Sequence, residues 1–532
     1  MTPKAIAPAN WSWYAWAGFL VVLYVAISIV GWNRTLIPDE IRVLLLAAQP
    51  AGEIVEYARK DIVHPPLTYL LQRGWLNIFG HTDSAAKAWA LLMGSLTIFT
   101  FTYLARRVTS YWWLLALFFC TPYFRIGSSV NLVRMYGLLL LLVVVAILLW
   151  DQWKKTPGPG WLAAWVITMT MAIYSHGTGL LLIPAFVITN WLCGPRKWTF
   201  TIAGVIPVLA LSLWIIITLP DYLTRDVFFT NAGWGNESPN RTLIKLPFYF
   251  LSGEDAGGGS PVPPLWTMGD FRMLAITLFL LNLVLLLPAW KKISQLRWSL
   301  RESDDTTRWL ITSALLCGIP IGMLYIFSLL VFSALQARFV LLATPAYWML
   351  LVLLGELGGR MNRAIFLGIF VPWILLGTGL TLVQNLSPSW ARQGTQFVAT
   401  EMGASDLILV DKHMPLGWQV YWEWTHRLER DSRIEILSSV DVPPYMRTIK
   451  PDTPLDQLNV ENTARVWYFY SKNWYQRRRA VAPVTEFLTK HGFVVDEDAV
   501  AGLSWRQSQE KSPYMIVFTK VDSALATQDT AQ

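Results

Sequence analysis

The sequence predicts a polytopic α-helical membrane protein of about eleven transmembrane helices, followed by a C-terminal α/β domain on the non-cytoplasmic side. Three observations point there. Of 532 residues 54% are hydrophobic and only 15% charged, more apolar side chain than a soluble protein of this size carries. Apolar runs of about twenty residues, the length that crosses about 30 Å of hydrocarbon, recur along most of the chain. Beyond Leu386 the composition turns polar.

The apolar windows are 12–32, 85–104, 111–129, 134–151, 160–176, 177–194, 199–219, 268–290, 309–333, 339–358 and 364–385. Lys and Arg are retained in cytoplasmic loops, and here alternate connections carry Arg106 with Arg107, Lys154 with Lys155, Arg196 with Lys197, Lys291 with Lys292, Arg297 with Arg301, and Arg360 with Arg363. Eleven spans put all of these on one side. The N-terminus is then cytoplasmic, the tail lies outside, and the protein is a multi-pass protein of the inner (plasma) membrane. The first window has no small-residue cleavage site and is flanked by Trp11, Trp13 and Trp32, which reads as an uncleaved span. A formal charge of +8 resides largely in the cytoplasmic loops, so it argues for topology and against nucleic-acid binding. Cys120, Cys193 and Cys317 sit in or beside spans, so no outer disulfide and no zinc pattern is expected.

The expected organisation is a membrane domain over 1–385 and an α/β domain over 386–532. The membrane domain carries outer loops at 33–84 and 220–267. In the first loop IPDEIRVLLLAAQ and HPPLTYLLQRGWLNIFG are amphipathic and read as two interfacial helices. The second contains GEDAGGGSPVPP, a Gly- and Pro-rich segment that serves as a lid or as a linker. In the tail DLILVD (406–411), RIEIL (433–437), ARVWYFY (464–470) and YMIVFTK (514–520) read as buried strands. Between them PLGWQVYWEWTHRL and PVTEFLTKHG read as helices.

Chemistry concentrates in the first loop. Asp39 and Glu40 follow Pro38, and the plain reading is acidic residues in a first helical turn. The other is a carboxylate base at the membrane surface, where a lipid-borne substrate presents its head group. Asp61 and His64, before Pro65 and Pro66, read as a cap and a solvated imidazole or as site residues. Arg134 in NLVRMYG and Arg338 in LQARFVLL either snorkel to head groups or converge on a phosphate, which suits their forked donors. His176 in YSHGTGLL stands at an outer turn. Asp496 with Asp498 has the spacing of a metal-holding pair but reads more plainly as a solvated turn, Arg477–Arg479 reads as a solvated basic face or a contact to anionic head groups, and Asn236 with Asn240 satisfies glycosylation spacing, which matters only in a host that glycosylates such sites. No Gly-rich phosphate loop is present.

These patches together resemble the membrane glycosyltransferases that take sugars from polyprenyl-phosphate donors (GT-C type), including protein O-mannosyltransferases and lipid A aminoarabinose transferases. The matching residues are PDE at 38–40, DIVHPPLTYLLQRGWLNIFG at 61–80, VRMYGLLLLL at 133–142, YSHGTGLL at 174–181 and ARFVLLATP at 337–345, in family order and spacing. Many members carry an acidic residue two places before the Arg of the RMY segment; here it is Leu132. The resemblance implies inverting transfer on the non-cytoplasmic side, to a lipid, glycan or protein acceptor. Asp39 and Glu40 are then the catalytic candidates, with Asp39 preferred as base. Asp61, His64, Arg134, Tyr136, His176 and Arg338 are the substrate-binding candidates. No metal ligand is assigned and no cofactor is certain; a divalent ion stays open. The alternative class is a transporter or flippase for a lipid-linked sugar, but transporters place polar groups near the midplane and often repeat their halves. A non-catalytic scaffold leaves the acidic first loop without a role.

Overall fold

In the computed structural model the described residues are 12–34, 36–59, 64–124, 129–223, 238–252, 276, 280, 305–330, 335–359, 390–403, 405–411, 434–437, 460–469, 484–496, 498 and 515–521. The helices are α1 (Trp13–Val30), α2 (Pro38–Ala47), α3 (Ala51–Arg59), α4 (Leu67–Phe79), α5 (Asp83–Val108), α6 (Trp112–Phe119), α7 (Tyr136–Lys155), α8 (Pro159–Ser175), α9 (Leu182–Cys193), α10 (Lys197–Leu223), α11 (Pro239–Ser252), α12 (Asp305–Leu330), α13 (Thr344–Leu357) and α14 (Trp390–Glu401). The chain divides into two compact units, Met1–Trp32 with Pro50–Leu386, and Asn33–Gln49 with Ser387–Gln532.

Among the described residues of the first unit six helical stretches are long and apolar enough to cross a membrane: α1, α5, α7, Lys197–Leu219 of α10, α12, and Arg338–Leu357, which joins a 3₁₀ turn to α13. Helix α7 is apolar from Tyr136 to Trp150 and largely buried, and it packs on α5 and α8. Helix α1 buries one stripe, Ala17, Leu20, Tyr24 and Ile27, at helical spacing against α5. Tyr24 lies over Gly94 of α5, where a Cβ would come within 2.4–2.7 Å of the phenol. Helix α12 packs on α9 and α13.

The window at 111–129 differs from its expected span. It holds a helix of only eight residues, Trp112–Phe119, about 12 Å long. Pro122 lacks an N–H and disfavours helical geometry at Thr121, so the chain leaves the helix there. The windows 268–290 and 364–385 fall outside the described residues, apart from single positions. The first loop carries three helices where two were read, because Pro50 begins a separate helix α3.

Ion pairs and hydrogen bonds identify the two ends of this helical unit. At one end Arg107 of α5 meets Asp151 of α7 at 2.7 Å, and Thr109 and Ser110 donate to Glu356 at 2.5 and 3.1 Å. At the other the Lys87 ammonium donates to the Trp32 carbonyl at 2.7 Å, and Asn131 donates to the Tyr123 carbonyl at 2.8 Å. The basic residues Arg106, Arg107, Lys154, Lys155, Arg196, Lys197 and Arg308 all belong to the helix ends on the Asp151 side.

The second unit holds α2, α14 and a five-stranded sheet of β1 (Leu407–Asp411), β2 (Ile434–Leu437), β3 (Arg465–Phe469), β4 (Phe493–Val495) and β5 (Met515–Lys520), in the order β2-β1-β3-β5-β4. β1 runs parallel to β2 and β3, and β5 runs antiparallel to β3 and β4. Leu409, Val466, Tyr468 and Phe518 pack with Val484, Leu488 and Phe493 in one core. Asp406 ties the edge of that core by accepting from Trp467 Nε1 at 2.9 Å and Gly403 N–H at 3.0 Å, beside Arg465 at 3.1 Å.

Candidate active site

His176 stands where α8 stops. Its extended backbone (φ −157°, ψ 127°) ends the helix and starts a 3₁₀ turn over Gly177–Leu181. The Thr178 N–H donates to His176 Nδ1 at 3.3 Å, and the Thr178 hydroxyl lies 2.8 Å from the same nitrogen. An accepting Nδ1 places the proton of the neutral ring on Nε2. Gly179 permits this turn. A Cβ there would lie 3.0 Å from the Ala172 carbonyl carbon and the Ile173 nitrogen, both backbone of α8. The pattern SHGTG therefore packs a tight turn onto its own helix and fixes the imidazole.

Three aromatic rings surround that imidazole. His64 meets it edge-on, with centroids 5.1 Å apart at 81°. Tyr136 lies at 5.6 Å and Phe339 at 5.5 Å. His64, Tyr136 and His176 are buried to within 3% of full exclusion. Each arrives on a different element: His64 ahead of Pro65 and Pro66 at the entry to α4, Tyr136 at the first residue of α7, and Phe339 on the 3₁₀ turn Ala337–Ala343. The last segment is held on α12, where the Leu335 N–H donates to Ser328 Oγ at 2.7 Å.

The two arginines sit on the outside of this cluster, each half-buried and each over a ring. Arg134 Cζ is 5.4 Å from the Tyr136 centroid and Arg338 Cζ is 5.5 Å from the Phe339 centroid. Arg338 Nε donates to Gln336 Oε1 at 2.8 Å, which orients the guanidinium plane. Each guanidinium lies near an aromatic ring and carries the forked donor set that suits phosphate or carboxylate oxygens. The structure thus gathers His64, Arg134, Tyr136, His176 and Arg338. Asp61 lies outside the described residues.

Asp39 and Glu40 belong to the second unit, in the first turn of α2. Glu40 is fully buried, and Arg34 grips it with two bonds of 2.7 and 2.6 Å. The Ile37 N–H donates to it at 2.9 Å. Its acceptor positions are engaged in closing the turn before α2, an assignment that suits a structural carboxylate better than a base. Asp39 is half-buried on the next position of the turn. Sequence reasoning did not single out Arg34, although a basic residue six before an acidic one across a Pro was the available signal. It also passed over Lys87, a cation inside an apolar helix, which holds the carbonyl of Trp32. Among the described residues no three His, Cys, Asp or Glu side chains are grouped to hold a metal ion.

No protein-family model and no curated protein matches this chain. Solved structures similar to it include the following three. ArnT from Cupriavidus metallidurans bound to undecaprenyl phosphate is 15% identical, covers 95% of this chain and 98% of its own, and has a TM-score of 0.48. The apo state of that protein gives the same identity and coverage with a TM-score of 0.40. The Archaeoglobus fulgidus oligosaccharyltransferase tethered to an acceptor peptide with the NVT sequon is 13% identical, covering 76% of this chain and 62% of its own at a TM-score of 0.39.

Proposed function

We propose that this chain is an inverting glycosyltransferase that moves a sugar from a polyprenyl-phosphate donor to a lipid, glycan or protein acceptor on the non-cytoplasmic side of the membrane. One observation carries the reading. Four sequence patches spread over about 280 residues, HPP, RMYG, SHG and ARF, meet around one imidazole at the end of the helical unit remote from its basic loops. A chance scatter of interfacial Arg and His has no reason to converge.

The chemistry follows from the donor class. A polyprenyl phosphate leaves as a stable anion, so the leaving group needs no proton. Arg134 and Arg338 stabilise the charge that grows on its oxygens, an electrostatic effect of about 3–4 kcal/mol where such donors are preorganised. The base for the attacking hydroxyl is Asp39 on the ground of the PDE resemblance alone. In-line attack then inverts the anomeric carbon. His64, His176 and Tyr136 form the buried polar floor, and the Thr178 contact holds His176 in one tautomer.

The experiment is retention of undecaprenyl phosphate by the purified chain, read by native mass spectrometry. The wild type should keep one lipid phosphate per chain. Arg134→Gln with Arg338→Gln should lose it while the helical content and melting stay unchanged. Equal retention by wild type and double variant would remove the basis for this reading.

A further inference from the structure

We propose that the end of the helical unit opposite His176 is a binding site for the phosphate of an anionic phospholipid, built from Lys154, Arg308 and Arg107. Helix α7 spans the unit from Tyr136 beside His176 to Lys155, about 30 Å away. At that far end Asp151 is fully buried and gathers three cations: Arg107 at 2.7 Å, Lys155 at 3.1 Å and Lys154 at 3.4 Å. One carboxylate does not neutralise three cations. Arg308 also acts electrostatically on Lys154, and its own partner Asp305 is 80% exposed and screened.

The unmet donors define what is missing. Lys154 is nine-tenths buried, its ammonium 5.0 Å from the Trp150 ring and 4.9 Å from the Trp309 ring, with its Asp151 oxygen at only 3.4 Å. The Nε–H groups of Arg107 and Arg308 are buried without an acceptor. The two unmet guanidinium Nε–H groups, beside cations that outnumber the one Asp151 carboxylate, call for an anion with several oxygens, which a phosphodiester supplies. Among the described residues this end carries seven cations against the carboxylates of Asp151, Asp305 and Glu356. Exposed Trp161, Leu192 and Trp198 lie at the same helix ends and give acyl chains and the head-group boundary an apolar surface, which favours a lipid over a soluble phosphate. This site is independent of the proposed transfer reaction.

The test uses the full chain purified in zwitterionic detergent and titrated with phosphatidylglycerol or phosphatidylcholine, bound lipids being counted by native mass spectrometry. The wild type should prefer phosphatidylglycerol. Each cation removed should cost roughly fivefold, so Lys154→Gln with Arg308→Gln should lower the preference about thirtyfold. Arg308→Gln alone, at a partly exposed position, decides the matter if the double variant melts early in phosphatidylcholine. Equal retention of both lipids by the wild type overturns the proposal, as does an unchanged preference in the variants. Inorganic phosphate that displaces phosphatidylglycerol at equal concentration would assign the niche to a soluble anion and overturn it as well.

Discussion

Gly179→Ala probes how the imidazole at the centre of the site is held. The new Cβ would lie 3.0 Å from two backbone atoms of α8 and 3.1 Å from the Ala172 carbonyl oxygen. Carbon contacts settle at about 3.5–4.0 Å, so the turn must move outward by about 0.5 Å. Neither neighbour is a side chain that can rotate away. Overpacking of this kind costs about 1–3 kcal/mol. The displaced segment contains the Thr178 N–H that holds His176 Nδ1, so the ring moves with it. A 1 Å error at a reacting centre costs roughly a hundredfold, which puts this shift at about tenfold in transfer. The assay pairs sugar transfer in proteoliposomes with thermal melting. Gly160→Ala is the control, since no atom lies within 4 Å of its Cβ and Ala suits a helix better by up to about 1 kcal/mol. A Gly179→Ala protein that melts with the control and transfers at the wild-type rate would refute the account of the turn.

Asp39→Asn should keep donor retention and lower turnover roughly a hundredfold, measured by single-turnover transfer. Arg34→Gln removes both bonds to a fully buried carboxylate and should destabilise the second unit by about 3–5 kcal/mol, seen as limited proteolysis at lower denaturant; Arg34→Gln with Glu40→Gln should recover much of that. Gly94→Ala should drive a Cβ into the Tyr24 ring and lower stability by about 1–3 kcal/mol, and adding Tyr24→Ala should couple positively in a double-mutant cycle.

Much of the bundle was legible because lipid imposes length. The windows at 12–32, 134–151, 199–219 and 309–333 match α1, α7, α10 and α12 to within a few residues at most ends, since about twenty apolar residues have few alternatives to a helix. The window at 111–129 misled because hydropathy averages over Pro122, whose missing N–H acts at one residue. Strands β1, β2, β3 and β5 fall inside the four stretches read as buried strands, whereas the three-residue β4 is too short to carry a periodic signal. At the site, patch order suggested which residues belong together, and ring contacts brought His64, Tyr136, His176 and Phe339 into one cluster. Phe339 was not foreseen, because an aromatic in an apolar run looks like any core residue. The roles of Glu40 and Arg34 were equally opaque. A carboxylate in a first turn reads the same whether it faces water or a guanidinium six residues back.

On the proposed reading, Arg134 and Arg338 beside the His176 cluster hold a lipid phosphate that leaves when its sugar is transferred. A photoreactive polyprenyl phosphate, incubated with the membrane-embedded chain and mapped by peptide mass spectrometry, tests it most directly. Labelling is expected on peptides that carry His64, Arg134 or Arg338, abolished by excess undecaprenyl phosphate and by Arg134→Gln with Arg338→Gln. Labelling confined to the Asp151 end, or undiminished in that double variant, would contradict it.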